Sequence, residues 1–122
     1  MHELSLVVSI VDTCENLVYK EGGKAIKEIT LIVGTLSGVE VDALKFAWEM
    51  GVRNSVLEKA KFKIKVEKAK AKCNSCLQHY NPKTLYEPCP SCGHYGVEYL
   101  KGRELKIHLI KMVRENLLKP MS

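Results

Sequence analysis

Two Cys-x-x-Cys pairs, Cys73-Asn74-Ser75-Cys76 and Cys89-Pro90-Ser91-Cys92, constrain this chain more than any other feature. Thiols with two residues between them turn tightly enough to place both sulfurs on one ion, and two such pairs complete a tetrahedral shell. A segment closed this way needs no hydrophobic core, because the metal supplies folding energy. Between Lys72 and Leu100 the composition agrees, with Cys, Pro, Tyr, Asn and Gly replacing the apolar periodicity found elsewhere. Four sulfurs fill the shell, so a zinc ion held by Cys73, Cys76, Cys89 and Cys92 is structural. Neither pair sits at the strand-to-helix turn of a redox Cys-x-x-Cys. Gly93 follows the second pair, where positive φ lets backbone N–H groups point at thiolates, and Leu77 holds the same place after the first. His79 and His94 lie close by, either as exchangeable ligands or as solvated loop residues.

Cys14 makes the cysteine count five, an odd number that argues against a disulfide framework. The opening Met1-His2-Glu3 lacks the basic region of a secretory signal, and no apolar run approaches the ~18 residues needed to cross a bilayer. We therefore expect a cytoplasmic chain without a membrane span. The formal net charge of +5 permits nucleic-acid binding without requiring it, and four thiolates on one zinc ion would lower it by two.

Around the cysteine module the pattern is regular. Leu4, Val7, Val8, Val11, Cys14 and Val18 follow helical spacing up to Gly22-Gly23, with Cys14 as a small buried hydrophobe. The stretch 25–34 is β-branched, with Ile29, Leu31 and Val33 on one face of a strand. Helical spacing returns through Val41, Leu44, Trp48 and Val52. In KFKIKVEKAK, Phe62, Ile64 and Val66 alternate with Lys61, Lys63 and Lys65, giving a strand with one wet face. A third strand is expected over RELKIHLIKMV, with Leu105, Ile107 and Leu109 inward. The order helix, strand, helix, strand, strand predicts an α+β fold, a three-stranded sheet with two helices on one face, carrying an inserted zinc-ribbon domain. The expected domains are 1–69 with 101–122, and 70–100.

His2 is the remaining oddity, an imidazole directly after the terminal residue. The Met1 α-amine, the amide nitrogen between Met1 and His2, and the imidazole form fused chelate rings suited to a square-planar d⁸ ion such as Ni²⁺, with the Glu3 amide as a fourth nitrogen. A bulky second residue such as histidine favours retention of the initiator Met1. A solvated histidine at a helix start accounts for the same residue.

The opening MHELSL, the mid-chain GTLSGVE followed by LKFAWE, and the C-x2-C…C-P-x-C-G module ahead of GRELKI resemble the HypA/HybF family of hydrogenase maturation factors. The resemblance spans nearly the whole chain. It implies a nickel metallochaperone with an N-terminal nickel site and a separate structural zinc ribbon, not an enzyme. It also implies work with the nucleotide hydrolase HypB to load nickel into the large subunit of NiFe-hydrogenase. Carried over, His2 is the nickel ligand, Glu3 supplies its backbone and a partner contact, and Cys73, Cys76, Cys89 and Cys92 bind zinc. Glu40, in the SGVE turn, matches the family motif without an assigned role.

Two other classes are weaker. A zinc-ribbon nucleic-acid module would use Tyr80, Tyr86, Tyr95 and Tyr99 as stacking platforms beside the lysines of 61–65, but those lysines are also what the wet face of a strand requires. An enzyme would need a nucleophile triad, P-loop or phosphate cradle, none of which occurs, and His108 lies among lysines without an evident acidic partner.

Overall fold

The computed structural model describes residues 2–114. Helix α1 spans Glu3–Glu21, strand β1 Ala25–Gly34, helix α2 Val41–Gly51 and strand β2 Lys61–Glu67. Short strands β3 (Lys70–Cys73), β4 (His79–Tyr80) and β5 (Val97–Lys101) follow, and β6 covers Leu105–Val113. Strands order as β2-β1-β6 in one sheet and β4-β3-β5 in the other. The expected α+β architecture is present, two helices with a three-stranded sheet and a ribbon-like module carrying four clustered cysteines. The chain divides into two compact units. One holds the chain up to Thr30, Glu40–Lys63 and the chain from Ile107; the other holds Leu31–Val39 and Ile64–Lys106.

In the first unit, α1 stops where expected because Gly22 adopts the left-handed conformation at φ 68°, and the Gly23 N–H donates to the Val18 carbonyl. The helix buries Val7, Ile10, Cys14 and Val18. Leu4 and Val8 are 48% and 57% exposed, so the apolar stripe is rotated from the expected one and includes Ile10. Gly51 of α2 lies against Val7, where a Cβ would collide with the valine side chain, and this permits close helix approach. Trp48 of α2 stacks on Phe62 of β2, with ring centroids 3.9 Å apart and planes 5° from parallel. Such a pair adds roughly 0.5–1.5 kcal/mol beyond the burial itself. Glu28 on β1 pairs with Lys63 of β2 at 3.2 Å and Lys111 of β6 at 3.8 Å, linking the central strand to both neighbours. β6 departs from its expected alternation. Leu105 and Ile107 are half-buried, but His108 and Leu109 are both exposed and the phase resumes at Ile110 and Met112.

In the second unit the cysteine segment is more regular than its composition suggests. β3 pairs antiparallel with both β4 and β5. Backbone packing fixes its base. A Cβ on Gly34 would collide with the Gly102 backbone, and one on Gly102, at φ 92°, with that of Ala69. Hydrogen bonds reinforce the crossing: Thr35 N–H to Glu67 O and Leu36 N–H to Gly102 O from backbone groups, and Ala69 N–H to the Thr35 hydroxyl oxygen.

Candidate metal centres

The two cysteine pairs sit on matching turns. In the first, the Leu77 N–H donates to Cys73 O and the Cys73 N–H to Gln78 O; in the second, Gly93 N–H donates to Cys89 O and Cys89 N–H to His94 O. Leu77 and Gly93 both adopt positive φ, 65° and 77°. The first turn thus adopts the glycine conformation with a leucine in it, at a steric cost that L-residues ordinarily avoid. The amides of Ser75 and Cys76 point at the Cys73 sulfur, at 3.4 and 3.5 Å.

These turns bring the four sulfurs within 4.8 Å of one another. Cys73 and Cys92 Sγ are 3.6 Å apart, as are Cys76 and Cys89 Sγ, far beyond the ~2.05 Å of a disulfide. A tetrahedral ion with ~2.3 Å metal–sulfur bonds places its sulfurs about 3.8 Å apart, so the set fits zinc or another thiophilic ion. The electrostatics agree. Amide donation from Cys76, then from Ser75, brings the Cys73 thiol down to about 6 against burial. At Cys76 the Gln78 amide pulls the other way, but burial and the neighbouring sulfurs outweigh it and push the thiol up to about 12. Four thiols so close cannot all ionise without a cation among them. His79 and His94 are exposed and stand outside this cluster. Cys14 is fully buried on α1, where burial first and Glu15 second raise its thiol to about 11, as befits a core hydrophobe.

Met1 lies outside the described residues. His2 is the N-cap of α1, exposed, with no side-chain capping bond. The first helical bond runs from the Leu6 N–H to the His2 carbonyl at 3.3 Å, so the amides of His2 and Glu3 precede the hydrogen-bonded ladder. Glu3 is half-buried, and its Oε2 accepts from the Glu40 N–H at 3.0 Å. Glu40 is itself the N-cap of α2 and makes no capping bond with its own side chain. This contact joins two candidate residues 37 positions apart. Nothing in the local pattern of either helix announces it, although both lie in stretches that carry the family resemblance. His108 is exposed on β6.

Comparison with known proteins agrees along the chain. The family described as "Hydrogenase/urease nickel incorporation, metallochaperone, hypA" matches residues 1–112. The hydrogenase maturation factor HypA of Parabacteroides distasonis is 37% identical over 115 residues, covering 94% of this chain and all of the relative. That of Geobacter metallireducens is 36% identical over 88% of this chain and 94% of its own length. The solution structure of the Ni metallochaperone HypA from Helicobacter pylori superposes with a TM-score of 0.71 at 27% identity, covering 94% of this chain and all of that one. A match over residues 1–112, with relatives covered over nearly their whole length, places this chain in the HypA family of nickel-incorporation metallochaperones.

Proposed function

We propose that this protein carries Ni²⁺ at its N-terminus, delivers it to the large subunit of NiFe-hydrogenase with HypB as nucleotide-hydrolysing partner, and holds a separate structural Zn²⁺ on Cys73, Cys76, Cys89 and Cys92. The observation that carries the nickel reading is the local arrangement at His2. The imidazole is exposed at a helix start, and the two amides that follow Met1 are free of the helical ladder. Amide nitrogens ligate only when deprotonated, which nickel and copper promote and zinc does poorly. The Glu3 carboxylate is engaged with Glu40, so Glu3 serves nickel through its backbone nitrogen rather than its side chain. Met1 supplies the amine and His2 the imidazole and one amide, completing a plane of four nitrogens.

Zinc, when bound, closes the two turns around their sulfurs and leaves no open coordination position. The protein performs no catalysis of its own and works in the cytoplasm; among its described residues no helix is long and apolar enough to cross a membrane. HypB contacts the exposed start of α1, near His2 and Glu3, because passing on a labile metal requires a donor beside the docking surface. Nickel titration of untagged, zinc-loaded protein tests this reading. A visible absorption band of a square-planar ion saturating at one equivalent is expected, and its persistence in His2→Ala would refute the site.

A further inference from the structure

A cleft of about 720 Å³ runs beside β5 in the second unit, lined by Val97, Tyr99 and Leu100 and by the cations Lys101, Arg103 and Lys106, with Glu67 and Glu104 also at its walls. Three features of this cleft point to a ligand. The Arg103 guanidinium sits over the Tyr99 ring, 4.9 Å from its centroid, and is therefore held in place before any ligand arrives. Among the described residues no ion pair engages Lys101, Arg103 or Lys106. Finally, β5 is the outer strand of the order β4-β3-β5, so one of its edges carries backbone donors and acceptors that no strand among the described residues satisfies. A register shift opposite Lys70 and Ala71 leaves Leu100 without a cross-strand partner, and it is among the exposed apolar side chains.

We infer that this cleft receives an extended acidic peptide segment of a partner protein, laid along the open edge of β5 with its carboxylates on Arg103, Lys101 and Lys106. Backbone pairing supplies affinity in such strand addition, and alternate side chains supply choice. The apolar surface of Val97, Tyr99 and Leu100 takes the uncharged side chains, while the cations take the acidic ones. Carboxylates on every second residue of an extended peptide lie about 7 Å apart, so they stand as separate charges for separate cations. Glu67 and Glu104 count against a nucleic acid, whose closely spaced phosphates would have to pass both carboxylates. A peptide places neutral groups there instead.

The test is fluorescence anisotropy on the zinc-loaded full chain, with a labelled octapeptide alternating Glu and Val as probe. Binding should saturate at low salt and weaken as salt rises. Arg103→Gln should lower affinity about tenfold, as expected on losing a charged hydrogen-bond partner, and Lys106→Gln less. Amide shifts on titration should concentrate in Val97–Lys101. An octapeptide alternating Lys and Val should not bind. No saturable binding, binding unchanged in both variants, or displacement of the peptide by a single-stranded oligouridylate at lower concentration would each overturn the assignment.

Discussion

The Glu3 carboxylate accepts the backbone N–H of Glu40 at 3.0 Å, so the first turn of one helix caps the start of the other. An N-terminal N–H without a partner costs stability, and a carboxylate there also meets the positive end of the helix dipole. The Glu40 N–H foremost, and then its own backbone amide, hold the Glu3 carboxyl below its ordinary 4.5. A carboxylate with a depressed folded value stabilises the fold above its ordinary value and loses that contribution as pH falls through the depressed one. The Glu40 amide proton shift should therefore follow a titration whose midpoint lies below 4.5. Glu3→Gln should abolish that titration. A Glu40 amide already titrating around pH 6, or titrating identically in the variant, would count against the cap.

This contact also marks where sequence reasoning stops. Both helices, β1, β2 and β6 follow from periodicity, and the four-sulfur cluster follows from spacing, because those signals are local. The rotation of α1 onto Ile10 was not legible, since Leu4 and Val8 fit helical spacing equally well and only the partner surface decides between them. Nor were β3, β4 and β5 legible. Strands of two to five residues are too short for alternation to register, and closure around sulfurs lets polar residues occupy them. Leu109 was misplaced because the alternation of β6 changes phase after His108.

Removing the metal should separate parts of the fold. The amides of Cys73, Leu77, Cys89 and Gly93 donate only within the two turns, which have little apolar burial to hold them. In Cys76→Ser or Cys92→Ser protein, hydrogen exchange at these amides should accelerate throughout residues 70–100. The amides of α1 and α2 should stay protected, as should Thr35 and Leu36, whose acceptors lie at the backbone crossing with Glu67 and Gly102. Unchanged protection at Leu77 and Gly93 after chelation would mean that no metal staples this segment.

Leu77 offers a stability gain. It adopts φ 65° with its side chain 61% exposed, so little packing offsets the strain of that conformation. Glycine tolerates it freely, and Leu77→Gly should stabilise the zinc-loaded module by about 1 kcal/mol after allowing for the greater freedom of glycine when unfolded. Leu77→Val, branched at Cβ, should destabilise it instead. Chelator titration followed by hydrogen exchange ranks the three proteins; glycine ranking below leucine would show that the leucine side chain matters more than the backbone.

Zinc uptake should release protons in a number that depends on pH. In the metal-free cluster the Cys73 thiol lies at about 6 while Cys76 is pushed up to about 12, so near neutrality the first is ionised and the second is not. Zinc demands every thiolate and therefore displaces the protons that remain. Calorimetric titration in buffers of different ionisation enthalpy should count more protons at pH 5.5 than at pH 7.5, and affinity should fall on acidification. A count independent of pH over that span would contradict the coupled ionisation.

Nickel loading at the N-terminus should answer to protons, to metal identity and to a single histidine. Protons compete with the metal for an imidazole and an α-amine at and below neutrality, while amide protons leave only under the pull of the ion itself. Affinity for Ni²⁺ should fall steeply as pH drops below 7, allowing release over a narrow range. Since amide ligation selects the metal, Cu²⁺ should bind more tightly than Ni²⁺ and Zn²⁺ far more weakly. Only His2 shares a chelate with the terminal amine, whereas His79, His94 and His108 are exposed elsewhere on the described chain. His2→Ala, or a tag fused ahead of Met1, should therefore abolish nickel binding and spare the four-cysteine site. His79→Ala, His94→Ala and His108→Ala should each weaken it much less. Glu3→Gln should keep the backbone nitrogen and an oxygen acceptor for the Glu40 N–H, losing only the charge, so its nickel affinity should fall modestly while Glu3→Pro, which removes the amide proton altogether, should fall as far as His2→Ala. Isothermal titration of these variants at two pH values decides the matter: full nickel affinity in Glu3→Pro would remove the Glu3 amide from the plane, and full affinity in His2→Ala would remove the site.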